Sequence, residues 1–269
     1  MVTSILAGLS LHDYRLNAAI RVGNVWLPSE TLSKHLVRFA QPLLLSSGDQ
    51  EFPYGINGSA TFVRFQSNYY AIITRHQLKD NSASSIGFRA NSDHKFVLGG
   101  TFYFSDSFEK DRGSHADELV FIDLGVSVSK GSLNEFDFFD ISEENCAQDG
   151  DDVVFGLAYG YPHDVQEFDF DETGNYNFRM LHVGTVVREI ISEYAGETFD
   201  QTICGWNIKR SEDYEVSGIS GGPAFCVKKD ADGFRLKLAG VITTGSASKL
   251  NTIKVQSIKR YLRAIAKPN

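Results

Sequence analysis

Short apolar runs rich in β-branched and aromatic residues, each broken after a few positions by Gly, Asn, Asp or Ser, recur along most of this chain. Runs of that length and spacing fit strands joined by tight turns and leave little room for helices. Ala60 to Phe65 and Tyr69 to Thr74 flank the polar turn Gln66-Ser67-Asn68, which reads as a hairpin. Phe96 to Leu98, Thr101 to Phe104, Leu119 to Ile122 and Val153 to Tyr159 continue the series, with further strands expected at 181–190, 203–208, 223–228 and 235–243. Twenty phenylalanines and eleven tyrosines push in the same direction. Only the C-terminus has helical spacing, with Val255, Ile258, Leu262 and Ile265 on one stripe and Asn251 or Thr252 as N-cap. The pattern predicts two all-β halves closed by a helix. An acidic linker between Ser142 and Asp152 separates them, giving an N-terminal extension 1–35, halves at 36–147 and 148–250, and a helical segment 251–269.

Charge and cysteine content narrow the function. A net charge of −8 argues against a nucleic-acid partner, because a polyanion needs clustered Lys and Arg. No apolar run approaches the roughly 20 residues of a membrane span. The first residues lack the basic segment of an export signal, and three scattered cysteines (146, 204, 226) make no disulfide framework, so a cytoplasmic protein without membrane contact is expected. Asp230-Ala231-Asp232-Gly233 and Asp169 to Gly174 lack the full ligand series of a calcium loop and read as hairpin turns. No residue cluster points to a metal or an organic cofactor.

The chemistry concentrates in Ser217-Gly218-Ile219-Ser220-Gly221-Gly222-Pro223. A serine flanked by glycines exposes its hydroxyl and lets neighbouring amides converge on an oxyanion, provided that a base takes the hydroxyl proton. The run also fits the Gly-x-Ser-x-Gly elbow of α/β-hydrolases, but that fold needs its histidine after the serine. All seven histidines precede Ser220. The order His, Asp, Ser remains, with His76 at the end of a strand and Asp117 at the opening of the run Leu119 to Ile122. Asp111 and Asp123 are alternatives for the acid.

Gly218 to Pro223 resembles the Gly-x-Ser-Gly-Gly-Pro signature of chymotrypsin/trypsin-fold (PA clan) serine proteases. Leu238 to Gly245 is similar to the strand that follows it, Gly58 to Phe62 to the strand leading to the catalytic histidine, and Gly160-Tyr161-Pro162 to a turn of bacterial HtrA-like members, here without a PDZ module. The resemblance implies an all-β fold of two six-stranded antiparallel Greek-key barrels with the active site between them. It implies a peptidase in which Ser220 is nucleophile, His76 base and Asp117 orienting acid, with an oxyanion hole of the Gly218 and Ser220 N–H groups. Thr243, Thr244 and Gly245 would pair with a protein or peptide substrate, and Tyr214 would lie at the base of the specificity pocket. Tyr214 is no carboxylate, so small or apolar residues are expected there rather than Arg or Lys. Ile219 stands where zymogen-activated members carry an aspartate, so activation by N-terminal cleavage is not expected. Thr74-Arg75 before His76, and Glu118 where an aliphatic residue should follow Asp117, depart from the pattern. They leave open an inactive or partner-activated domain acting as a binding module.

Overall fold

The computed structural model describes residues 19–46, 54–78, 85–90, 96–105, 118–163, 169–170, 176–177, 188–194, 203–209, 217–246 and 249–266. Strands dominate. The N-terminal part contributes β1 (Ala19–Val22), β2 (Val25–Pro28), β3 (Ala40–Ser46), β4 (Tyr54–Phe65), β5 (Asn68–Thr74), β6 (Ile86–Arg89), β7 (Phe96–Leu98), β8 (Phe102–Phe104), β9 (Leu119–Asp123) and β10 (Phe139–Asp140). The C-terminal part contributes β11 (Val153–Ala158), β12 (Asp169–Phe170), β13 (Tyr176–Asn177), β14 (Arg188–Tyr194), β15 (Ile203–Lys209), β16 (Pro223–Asp230), β17 (Gly233–Gly245) and β18 (Lys249–Lys254). They build two large sheets, in the orders β7-β6-β3-β4-β5-β9-β8 and β16-β11-β14-β15-β18-β17-β1-β2, with β12 and β13 as a separate pair. Pairing is antiparallel except for β1 on β17 and β10 on β4. In the second sheet β16 also pairs with β17, so a path of six strands returns on itself. Among the described residues no helix is long and apolar enough to cross a membrane.

Near-continuous apolar runs form strands here because both faces of the first sheet are covered. Along β5, Ala71 and Ile73 point into a core with Phe62, Phe88 and Val120, while Tyr70 and Ile72 point the other way. Strand β9 divides likewise, Val120 and Ile122 on one side, Leu119 and Phe121 on the other. This is the period-2 alternation of a pleated strand, read between two apolar surroundings. The outward set meets Phe155, Leu157, Phe225, Val227 and Leu238 of the second sheet in one buried cluster, so the two sheets share a core. The helix Val255–Ile265 closes that junction through Val255, Ile258, Tyr261 and Leu262, with Tyr261 against Phe121 at 5.9 Å between ring centroids.

One expectation changes. The helix does not start near Asn251. Residues 249–254 form β18, held between β15 and β17, and the helix begins at Val255 after Lys254. Ladder bonds on both sides override the local capping signal. Within the N-terminal extension, β1 and β2 form a hairpin that lengthens the second sheet. The expected turn at Asp230 to Gly233 is the β16–β17 hairpin, with the Asp232 N–H on Asp230 Oδ1 at 3.0 Å. Much of the expected strand 181–190 lies outside the described residues.

The acidic linker is matched by cations of the second half. Asp151 accepts from Lys228 at 3.0 Å and lies 3.7 Å from Lys237, Glu143 meets Lys259 and Arg263, and Asp149 pairs with Lys254 at 3.1 Å. Within this segment burial pushes the Cys146 thiol up to about 12, which suits a packing residue rather than a reactive one.

Candidate active site

His76 sits on a short turn at the end of β5. Thr74 caps it reciprocally, its own N–H donating to Gln77 Oε1 at 2.7 Å while its hydroxyl accepts from the Gln77 backbone. Arg75 lies over the ring of Phe104 at 5.6 Å, which ties the turn to β8. Thr74 and Leu119 are register partners, so the end of β5 and the start of β9 lie side by side. The residue just before β9 is Glu118, and its Oε1 is hydrogen-bonded to His76 Nδ1. The carboxylate on the imidazole is therefore that of Glu118. Asp117 and Asp111 lie outside the described residues. Asp123 is at the far end of β9, where its Oδ1 accepts from the Gly125 N–H at 2.8 Å, away from His76.

The loop that carries Ser220 is clamped from both sheets. Gly221 donates to Ile242 O and Ile242 to Gly222 O, both at 2.8 Å, which fixes the loop on β17. From the first sheet, Thr61 Oγ1 donates to Gly221 O and Ser59 Oγ to Gly218 O, both at 2.7 Å, and the Ser59 N–H reaches Ser220 O at 3.2 Å. Gln77, buried at 4% exposure, completes the clamp. Its Nε2 donates to Ser59 O at 3.0 Å and to Ser220 O at 2.8 Å. One carboxamide thus joins the turn carrying His76 to the carbonyl of Ser220. Gly218 has φ +95° and Gly221 φ +84°, and a Cβ on Gly221 would lie 2.0 Å from Ser59 O. Only glycine meets both the conformation and the close approach.

The loop carbonyls define where its amides point. Ser217 O accepts from the His163 N–H and Ile219 O from the Gly222 N–H, both at 3.0 Å. In a planar trans peptide the following N–H points the opposite way. The Gly218 and Ser220 N–H groups are thereby turned from these anchors and donate to no protein acceptor among the described residues. Ile219 is the anchor of the arrangement, 2% exposed in a small apolar cluster with Ala158, Ala224, Cys226, Ile242 and Leu250.

A cleft of about 230 Å³ lies over the loop, lined by Asn57, His76, Gln77, His163, Ser217, Gly218 and Ser220. His76 and Ser220 thus share one cavity, with no hydrogen bond between them among the described residues. The Ser220 hydroxyl donates to Thr243 O at 2.8 Å, and His76 Nε2 is 3.3 Å from Thr74 Oγ1. Rotating the Ser220 hydroxyl is the movement that a base-assisted attack requires, and such bonds commonly tighten only once substrate is bound. Thr243 is buried at a register shift in β17, whereas Thr244 and Gly245 are exposed. Beyond Val241 the β16 side of β17 has no strand partner among the described residues. Tyr214 lies outside the described residues.

Sequence reasoning gave no role to Gln77 or Ser59 and read Glu118 only as a departure from the family pattern. The signal for Glu118 was present: the aliphatic residue expected after the acid is Leu119, which follows Glu118 rather than Asp117. No protein-family model matches the chain, and no curated protein matches it in sequence.

Proposed function

We propose that the protein is a serine endopeptidase of the chymotrypsin-like class. Its two halves are read as six-stranded barrels, a reading supported in the second half by the six-strand path that returns on itself. Ser220 attacks the scissile carbonyl, and His76 takes the hydroxyl proton and passes it to the leaving amine. Glu118 holds the imidazole with its proton on Nδ1 and stabilises the cation that forms. The Gly218 and Ser220 amides stabilise the oxyanion, a contribution of about 10²–10³ in rate per donor. The observation that carries this reading is the meeting of His76, already bonded to a carboxylate, with Ser220 in one cleft between the sheets. The edge at Thr243, Thr244 and Gly245, which has no strand partner on the β16 side among the described residues, suits addition of the substrate main chain as a strand. Leu250 and Ile219, both buried beside Gly245, favour small or apolar side chains on the acyl side. Ile219 packs the loop without an ion pair, which supports a site that forms without N-terminal cleavage.

One observation favours a second reading, a domain activated by a partner: Ser220 and His76 are each engaged elsewhere, on Thr243 and Thr74. Incubating the protein with a proteome-derived peptide mixture and sequencing new termini by mass spectrometry tests the first reading. Wild type is expected to produce a defined set of new termini that Ser220→Ala does not. Identical products from both, or none from either, would contradict it, and products that appear only with added cell extract would favour the second reading.

A further inference from the structure

The cleft beside Ser220 is one-sided. It contains His76 but no residue of β17, the strand on which the acyl side of a substrate pairs under the peptidase reading, on which this inference rests. His76 must hand its proton to the leaving amine, so the cleft holds the leaving side.

Counting donors in its wall leaves little free. The Gln77 carboxamide has both ends engaged, Nε2 on Ser59 O and Ser220 O and Oε1 on the Thr74 N–H and hydroxyl. The Asn57 Nδ2 gives one of its two hydrogens to Gln77 O. The Gly218 and Ser220 amides serve the oxyanion. Among the described residues of the wall, the polar groups that remain are the second Asn57 Nδ2 hydrogen, Ser217, and His163, which is exposed just after the buried Pro162. Ser217 Oγ lies 3.4 Å from His163 Nδ1, and in the tautomer in which the serine hydroxyl donates to Nδ1, the other ring nitrogen, Nε2, carries the hydrogen. Cδ2, the carbon bonded to Nε2, faces Gly218, where an added Cβ would sit 2.7 Å from it. That edge of the ring therefore lies beside the oxyanion amide. Among the described residues, the carboxylate that reaches the cleft wall, that of Glu118, is bonded to His76.

We propose that His163 is a specificity-determining residue that selects, at the first position of the leaving side, a side chain presenting a carboxylate or carboxamide oxygen. The chain's net charge of −8 disfavours acidic substrates at long range, so the preference is local to this position.

The test has two stages. Wild type is first treated with a fluorophosphonate, which carries no leaving-side residue and so reports on Ser220 alone. Internally quenched peptides, built on a cleavage site found with the peptide mixture, then vary only the first leaving-side residue among Ala, Lys, Gln, Asp and Glu. Wild type is expected to favour the better of the acidic and amide residues over Ala by about tenfold in kcat/KM, the scale of one hydrogen bond to a charged group. In His163→Ala the ratio should fall below about threefold, while His163→Gln, which keeps a donor, should retain part of it. Each ratio is internal to its variant, so a general loss of rate cancels. A flat wild-type profile, a preference for Lys, or an undiminished ratio in His163→Ala overturns the inference while labelling leaves the nucleophile reading intact. Absence of labelling overturns both.

Discussion

Glu118 and Asp117 are neighbours in sequence, yet a triad has room for only one of them. Under the proposed mechanism the role falls to Glu118, whose carboxylate is hydrogen-bonded to His76 Nδ1 from the position just before β9. Replacing Glu118 with Gln keeps the size but removes the charge and the control of the tautomer. A loss of about 10³–10⁴ in kcat is expected, against less than about tenfold for Asp117→Asn. Steady-state rates of the two variants on one peptide check this, and the reverse order would move the acid to 117. Gln77 allows a second test at this scale. In Gln77→Leu, Ser59 O keeps its place but loses a donor, Ser220 O loses one of two, and the Thr74 N–H loses its acceptor. Each buried group left without a partner costs about 1–3 kcal/mol. The expected result is a lower urea midpoint together with a kcat that falls while KM stays close to wild type, since the residue holds the nucleophile rather than the substrate.

At the scale of elements, the loop 217–222 depends on a buried side chain, Ile219. Ile219→Ala opens a cavity in its small cluster, with an expected cost of about 2–4 kcal/mol. Ile219→Asp places a carboxylate there with no cation in that cluster and should abolish labelling of Ser220 by a fluorophosphonate. Full labelling of Ile219→Asp would show that the loop is held by something else. Much of this architecture was legible in the sequence. The hairpin β4–β5 and the strand β9 follow from their apolar runs, the closing helix from its three- and four-residue spacing, and the glycine-rich loop from residue types that a tight approach demands. The rest depended on long-range partners. Residues 249–254 carry a capping signal, and only the ladders from β15 and β17 make them a strand. Strands β1 and β2 are short and half exposed, and they exist because the edge of β17 accepts them. Gln77 reads locally as a capping residue, and its second task, across the sheet boundary, has no local signature.

On the scale of the whole molecule, the two sheets are joined by a shared apolar core, by the bonds of Ser59, Thr61 and Gln77, and by a linker whose acids meet cations of the second half. Asp151 is the titrating centre of that linker. Burial alone would raise its carboxyl, but the Gln148 N–H together with Lys228 and Lys237 outweighs burial and holds it below the usual carboxylate range. A depressed folded-state pKa contributes stability that is fully present above the unfolded value near 4 and is lost as pH falls through the folded value. Urea unfolding between pH 6 and roughly pH 3 should therefore show a steeper acid loss in wild type than in Asp151→Asn, with the two curves separated at neutral pH and converging in acid. Parallel curves would remove Asp151 from the account. The central claim is that the clamp between the sheets presents Ser220 as a nucleophile served by His76. Intact-mass spectrometry after treatment with a fluorophosphonate tests it most directly. Wild type should gain one adduct, mapped by peptide sequencing to Ser220, with none in Ser220→Ala and a much slower reaction in His76→Ala. An adduct that persists in Ser220→Ala, or a wild-type protein that never reacts, would contradict it.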